Sequence, residues 1–170
     1  MTSAATMWAP VERAWLPPPI PTWDADLPML PQVYGWTCSA CALDWVLRAA
    51  AIDPESNREK CVRMIGYPEN INETYGLMNA NGQALRDVYT SYAQKTSQAW
   101  LSFDAVYELA QRTTGQMSGA RWYHWVALRG VQGAAIWIAN SAPGYMGVGD
   151  LLSRADFDRL GGFSVVWLGP

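Results

Sequence analysis

The sequence predicts one α+β domain in which an N-terminal helical layer packs on a C-terminal antiparallel sheet. Three observations lead to this class. The chain has 170 residues, a length that suits one domain. Apolar residues recur at helical spacing up to about residue 112, and short runs rich in Trp, Val and Ile follow, separated by glycines. Helices first and neighbouring strands later are typical of α+β proteins.

The first 31 residues differ from the rest and are predicted to form a proline-rich extended arm. They hold seven of the eleven prolines. Proline neither continues a helix nor donates a hydrogen bond to a sheet. Trp8, Trp15 and Trp23 give this arm side chains to bury against the domain. We therefore expect the domain itself to comprise residues 32–170.

Four helices are predicted ahead of the sheet. They cover about residues 38–51, 54–65, 82–93 and 103–112. Asp53 and Pro54 separate the first two helices, and Gly66 ends the second. Asn81 and Ser102 are the expected N-caps of the third and the fourth.

The rest of the chain is predicted to be mostly strand. Residues 121–129 and 134–139 are interpreted as a hairpin around the turn 130–133. A Gly-rich loop, 140–150, follows. A short helix capped by Ser153 and a last strand over 163–168 complete the domain.

Composition excludes several classes of protein. Half of the residues are apolar, 16% are charged and the formal net charge is −3. These values exclude a disordered chain and a nucleic-acid binder held by a basic face. The sequence contains neither a P-loop nor a His-Glu-x-x-His motif, so phosphoryl transfer and zinc-dependent hydrolysis have no support.

Targeting signals are also missing from the sequence. No apolar stretch approaches 18 residues, so we expect no membrane span. Residues 1–20 lack the basic region and the apolar run of a signal peptide. The chain is therefore expected to be made in the cytoplasm, where thiols stay reduced.

The chain has three cysteines, Cys38, Cys41 and Cys61, and one histidine, His124. An odd number of cysteines argues against a disulfide framework. The Cys38-x-x-Cys41 pair is compatible with a redox dithiol or with half of a zinc site. No strand of a βαβ unit leads into it, and two further ligands at suitable spacing are missing. Neither a metal nor another cofactor is therefore expected.

Cys38 is the candidate nucleophile because it stands at the predicted N-terminus of a helix. Free N–H groups and the helix dipole stabilise a thiolate there. Cys41 and Cys61 are expected to pack as small apolar side chains. A cysteine in a helix is usually a packing residue, so the assignment of Cys38 needs a second observation.

His124 supplies that observation. A thiol nucleophile needs a base, and this chain has one imidazole. Asn140 follows the second predicted hairpin strand, so the hairpin brings it beside His124, where it can fix the imidazole tautomer. Gln32 precedes Cys38 by six residues and can donate to an oxyanion together with the Cys38 backbone N–H.

These four residues, in this order and spacing, resemble papain-like cysteine peptidases, most closely the compact bacteriocin-leader-peptidase-like group. The resemblance covers about residues 32–168, including the closing helix and strand. It implies a papain-like cysteine peptidase fold, with Cys38 as nucleophile, His124 as general base and acid, Asn140 as orienting residue and Gln32 as oxyanion donor. Ser39 stands where that group usually has Gly. Asn140 stands where that group more often has Asp, although papain itself uses Asn.

The resemblance implies hydrolysis of peptide bonds through an acyl-enzyme. We expect the substrate to be bacterial cell-wall peptide, the peptidoglycan stem peptide, in a phage endolysin that reaches the cell wall during host lysis. Two alternatives remain: a peptidase that processes a precursor or leader peptide, and an inactive peptidase-like binding module. Trp36, Trp122 and Trp125 are the expected walls of the substrate cleft. Four further tryptophans are expected in the core: Trp45, Trp100, Trp137 and Trp167.

Overall fold

The computed structural model describes residues 22–77 and 82–169. In this part of the chain there are five α-helices: α1 (Cys38–Ala49), α2 (Arg58–Ile65), α3 (Gln83–Ser91), α4 (Phe103–Ala110) and α5 (Arg154–Arg159). The strands are β1 (Ile71–Asn72), β2 (Gly76–Leu77), β3 (Thr96–Leu101), β4 (Gly115–Gly119), β5 (Trp125–Gln132), β6 (Ala135–Ala139), β7 (Leu151–Leu152) and β8 (Phe163–Leu168). None of these helices is both long and apolar enough to cross a membrane.

The strands form a small hairpin and one larger sheet. β1 and β2 pair with each other, and the other strands form a six-stranded sheet in the order β3-β8-β4-β5-β6-β7. Every pair in it is antiparallel. The predicted α+β class, with helices packed on an antiparallel sheet, is confirmed.

Helices cover both faces of the sheet. The helix α1 lies on one face with α2 and α3, where it packs on Trp125, Ala127 and Val166. The helices α4 and α5 lie on the other face, against the alternate residues Val126 and Leu128. Because it lies between the sheet and α2, α1 has eleven buried residues out of twelve. It is therefore buried on nearly all sides.

Several predicted boundaries shift in the structure. The second helix begins at Arg58, because Asn57 and not Asp53 accepts a capping bond, from the Lys60 N–H at 2.9 Å. Gly66 ends this helix as predicted, with a φ of 104°. The third helix begins after Gly82, and Asn81 lies outside the described residues.

The two-residue strands β1, β2 and β7 and two longer strands, β3 and β4, were not predicted. β3 and β4 carry few β-branched residues, and β4 reads Gly-Gln-Met-Ser-Gly. Gly115 is required there because a side chain would meet the β8 backbone at 2.2 Å. The hairpin of β5 and β6 was predicted to turn at residues 130–133. Its turn instead falls at 133–134, and Gly130 lies at an irregularity in β5.

Residues 22–31 run alongside α1 as an extended segment. The Asp24 N–H donates to Ala49 at the C-terminal end of α1, at 2.8 Å. The Trp45 indole donates to Leu27 O at 2.7 Å, and the Trp23 indole donates to Arg129 O at 2.8 Å. This segment therefore leads the chain towards the N-terminal end of α1. Trp8, Trp15 and most of the predicted arm lie outside the described residues.

Candidate active site

Cys38 is the first residue of α1 and is 6% exposed. Its sulfur accepts a hydrogen bond from the Trp125 N–H at 3.4 Å. Thr37, the N-cap, donates its hydroxyl to Tyr34 O at 2.8 Å and does not cap the helix. Behind the thiol, the Gln116 amide donates to Ser39 O at 2.9 Å. The first turn of α1 is thus fixed to strands β4 and β5.

His124 and Asn140 form the contact that the sequence predicts. The imidazole Nε2 lies 2.8 Å from the Asn140 Oδ1. The Asn140 Nδ2 donates to Val148 O at 3.2 Å and to Gly149 O at 3.0 Å. These carbonyls accept hydrogen bonds, so they fix which end of the amide faces the histidine. Nε2 therefore carries the proton, and Nδ1 is left with the lone pair of a base.

Two aromatic rings enclose the imidazole. Trp122 lies edge-on with ring centroids 5.1 Å apart, and Tyr145 lies at 5.5 Å. Trp122 is fully buried and also packs on Phe163. The prediction that Trp122 is a cleft wall is therefore wrong, because its ring supports His124 from within the core.

Gln32 is attached to the same loop as Asn140. Its side-chain oxygen accepts from the Ser141 hydroxyl at 2.9 Å, and its backbone N–H donates to Ser141 O at 3.0 Å. Its side-chain nitrogen faces Gly35 O at 3.5 Å, a long and weak contact. Gly35 lines the same cleft as Cys38. The role of Gln32 as an oxyanion donor stays a prediction.

A cleft of about 590 Å³ opens beside Cys38. It lies between the β1–β2 hairpin and the ends of strands β3 and β4. Its aromatic lining consists of Trp36, Tyr75, Trp100, Tyr123 and Trp125. Its small lining residues are Gly35, Gly76, Ser118, Gly119 and Ala120. Of the predicted wall residues, Trp36 and Trp125 thus line it.

The tryptophans that were predicted in the core divide into two groups. Trp45 and Trp167 are buried, and Trp137 is partly buried below the Arg129 guanidinium at 5.2 Å. Trp100, however, is 47% exposed and lines the cleft. The prediction for Trp100 is wrong because the strand β3 that carries it forms an edge of the sheet.

Burial controls the protonation of the candidate dyad. It raises the pKa of the Cys38 thiol, and backbone N–H groups, first that of Trp125, act in the opposite direction. Burial also lowers the pKa of His124, while the bond to Asn140 acts to raise it. Both directions favour the uncharged form, of the Cys38 thiol and of the His124 imidazole. The expectation of an acidic thiol is corrected, because desolvation outweighs the helix N-terminus.

The other two cysteines are buried and free. Burial raises the pKa of Cys41 to about 11 and that of Cys61 to about 12. Both thiols are therefore protonated near neutral pH and pack as apolar side chains. Among residues 22–77 and 82–169, no group of three His, Cys, Asp or Glu side chains could hold a metal ion.

Several cleft residues were not identified from the sequence. Glu73 and Tyr75 lie on the β1–β2 hairpin, in a segment that was interpreted as a loop. Tyr123 adopts a left-handed φ of 52° and is 85% exposed, directly before His124. The hairpin strands β1 and β2 have two residues each, which is too short for the alternation of apolar and polar residues that predicts a strand.

No protein-family model and no curated protein sequence matches this chain. Among solved structures, a double glycine motif protease from an AMS/PCAT transporter, in complex with the leader peptide, aligns with a TM-score of 0.64 and 16% identity. The alignment covers 89% of this chain and 98% of that chain.

Two further solved structures are similar. The peptidase domain of Streptococcus ComA, a bifunctional ABC transporter in quorum sensing, has a TM-score of 0.59 and 14% identity over 83% of this chain and 96% of its own. A Bacillus anthracis protein described as a C39-like peptidase has a TM-score of 0.60 and 12% identity, over 88% and 98%. At such identities the likeness concerns the fold. The chain thus has the papain-like α+β fold of C39-like cysteine peptidase domains.

Proposed function

We propose that the chain is a cysteine peptidase that removes a leader segment from a precursor peptide. One observation carries the proposal. The Cys38 thiol, at the N-terminus of α1, lines a cleft and accepts a hydrogen bond from the Trp125 N–H, and the residue before Trp125 is His124, which pairs with Asn140. A nucleophile, a base and a residue that orients the base are the minimum for acyl transfer.

In the proposed reaction the Cys38 thiol gives its proton to Nδ1 of His124 while its sulfur bonds to the substrate carbonyl carbon. The oxyanion accepts hydrogen bonds from the Cys38 N–H and the Gln32 amide. His124 then gives the proton to the leaving nitrogen, and the C–N bond breaks. Water, deprotonated by His124, attacks the thioester, and the sulfur leaves as the thiol.

The resting dyad is uncharged in this scheme. Because burial disfavours both the thiolate and the imidazolium, proton transfer accompanies the attack and does not precede it. Asn140 contributes by keeping the proton on Nε2, so that Nδ1 is always available as the base.

The shape of the cleft supports a substrate with small residues near the scissile bond. A side chain at Gly76 would lie 3.2 Å from Trp36 O, so these two segments are close together. The similar double glycine motif protease was solved with a leader peptide. We extend that class of substrate to this chain as part of the proposal.

The test compares two substrates for the purified protein. One is a synthetic leader-type peptide with a Gly-Gly pair before the cleavage point, and the other is purified peptidoglycan. New amino groups and product masses are measured for wild type, Cys38→Ala and the matched control Cys41→Ala. We expect cleavage of the peptide that is lost in Cys38→Ala and kept in Cys41→Ala.

Other outcomes contradict the proposal in distinct ways. Cys38-dependent release from peptidoglycan alone would favour the endolysin function instead. Peptide binding without cleavage by the folded wild type would indicate a binding module. If Cys38→Ala cleaves the peptide as fast as wild type does, Cys38 is not the nucleophile.

A further inference from the structure

The β1–β2 hairpin brings one charged side chain into the cleft. Of the described residues that line it, Glu73 is the one that carries a charge at neutral pH. Neither a lysine nor an arginine is among the described residues that line the cleft. The bound part of a substrate therefore meets an acidic group without an adjacent basic one.

The carboxylate of Glu73 is held in place by two features. Tyr67 donates its hydroxyl to the Glu73 Oε1 at 2.6 Å. The turn itself is fixed by the Asn72 side chain, which accepts from the N–H groups of Thr74 and Tyr75 at 3.0 Å each. An exposed carboxylate that is oriented in this way loses less conformational entropy when it binds a cation.

Tyr67 is in turn the end of an aromatic row. Its ring lies 6.0 Å from Trp36, which stacks on Tyr34 at 6.2 Å. The Arg58 guanidinium lies over the Tyr34 ring at 5.7 Å. The row therefore already holds one cation at its far end, and its other end carries the Glu73 carboxylate.

Two exposed aromatic rings lie in the same cleft. Tyr75 is 76% exposed and Tyr123 is 85% exposed. An oriented carboxylate together with exposed aromatic faces is the chemistry that binds an ammonium or a guanidinium group. Hydrogen bonding to Tyr67 keeps the pKa of Glu73 below its usual range, so the carboxylate stays ionised near neutral pH.

We propose that Glu73, with Tyr75 and Tyr123, forms a subsite for a cationic side chain of the peptide substrate, lysine or arginine. This inference rests on the proposed peptidase function and adds a specificity to it. The Glu73 carboxylate lies on the hairpin side of the cleft, so one position of the bound peptide, and not its overall charge, sets the preference.

The test uses peptide chloromethyl ketones, which alkylate a cysteine beside their binding site without needing turnover. The parent reagent is acetyl-Ala-Ala-Ala-Gly-Gly chloromethyl ketone. Each alanine in turn is replaced by lysine, by the similarly sized norleucine or by glutamate. The second-order rate constant for Cys38 alkylation is measured by mass spectrometry at low salt.

At one position, we expect the lysine reagent to react about fivefold faster than the norleucine reagent, as one exposed charge pair allows. Glu73→Gln should bring the two rates together, and Glu73→Lys should make the glutamate reagent the faster one. Glu69→Gln is the matched control, since Glu69 is exposed on the preceding turn and does not line the cleft. It should leave the ratio unchanged.

Failure of the subsite and failure of the proposed function give different results. If the peptide reagents alkylate Cys38 faster than chloroacetone, which has the same reactive group without the peptide, but no position prefers lysine, the subsite is refuted and peptide binding stands. A lysine preference that persists in Glu73→Gln also refutes it. If no peptide reagent alkylates Cys38 faster than chloroacetone does, the cleft does not bind peptides and both inferences fall.

Discussion

Replacement of Asn140 by aspartate tests why this chain has an amide beside its histidine. Asn140 is 3% exposed and its Nδ2 donates to Val148 O and Gly149 O. Aspartate would direct a carboxylate oxygen at both carbonyls. Two hydrogen bonds would be lost, each with a net contribution of about 1 kcal/mol, and the introduced carboxylate would be repelled by both carbonyl oxygens. We expect Asn140→Asp to lower the free energy of unfolding by about 3 kcal/mol at pH 8.

The measurement is urea unfolding at pH 8, where the imidazole is neutral and offers no ion pair to the new carboxylate. Asn140→Ala is the matched variant, because it loses the same bonds without placing a charge against the carbonyls. Asn140→Asp should be the less stable of the two. On acidification the difference should shrink, since the introduced carboxyl group, once protonated, donates to one carbonyl. If Asn140→Asp equals wild type at pH 8, the assignment of the amide orientation is wrong.

Three further predictions concern the dyad and its support. Alkylation of Cys38 by iodoacetamide should rise steadily with pH through the neutral range, because burial raises its pKa, whereas a plateau from pH 5 upward would indicate a thiolate–imidazolium pair. Burial lowers the pKa of His124, so on acidification the imidazole takes up a proton more readily in the unfolded chain than in the folded one. The free energy of unfolding should therefore fall as the pH drops from 7 to 5, by at most ~1.4 kcal/mol per pH unit. In thermal melts, His124→Gln should remove this part of the pH dependence. Trp122→Ala should cost about 4 kcal/mol in urea unfolding, as for other buried aromatic residues, and a cost below 1 kcal/mol would contradict its place in the core.

The parts of the fold with a strong local signal could be predicted from the sequence. α1, the end of α2 at Gly66, the Ser102 and Ser153 caps and the strand β8 are found as expected. Each depends on apolar spacing or on a capping side chain within a few residues.

The unpredicted parts depend on distant residues. Gly115 and Gly119 bound β4, whose strand conformation comes from pairing with β5 and β8 on both sides and not from its own side chains. Trp100 looks like a core residue in the sequence, but β3 is an edge strand and Trp100 lines the cleft, so its ring is exposed.

The same distinction applies to the candidate site. The order of Gln32, Cys38, His124 and Asn140 is visible in the sequence, and the structure brings His124 and Asn140 to 2.8 Å. The protonation of the pair is not visible there. A helix N-terminus predicts an acidic thiol, but the burial of Cys38 between α1 and the sheet reverses that direction.

The loop that follows β6 contacts both His124, the candidate base, and Gln32, the candidate oxyanion donor. Asn140 fixes the tautomer of His124, and the next residue, Ser141, holds the Gln32 side chain and backbone. The proposed base, His124, and the proposed oxyanion donor, Gln32, are therefore oriented by adjacent residues, although they lie far apart in the chain. Since Asn140 is itself held by Val148 and Gly149, a change in this loop should alter proton transfer and oxyanion binding together. The loop 140–149 is consequently the part of the domain where a substitution outside the dyad should affect turnover most.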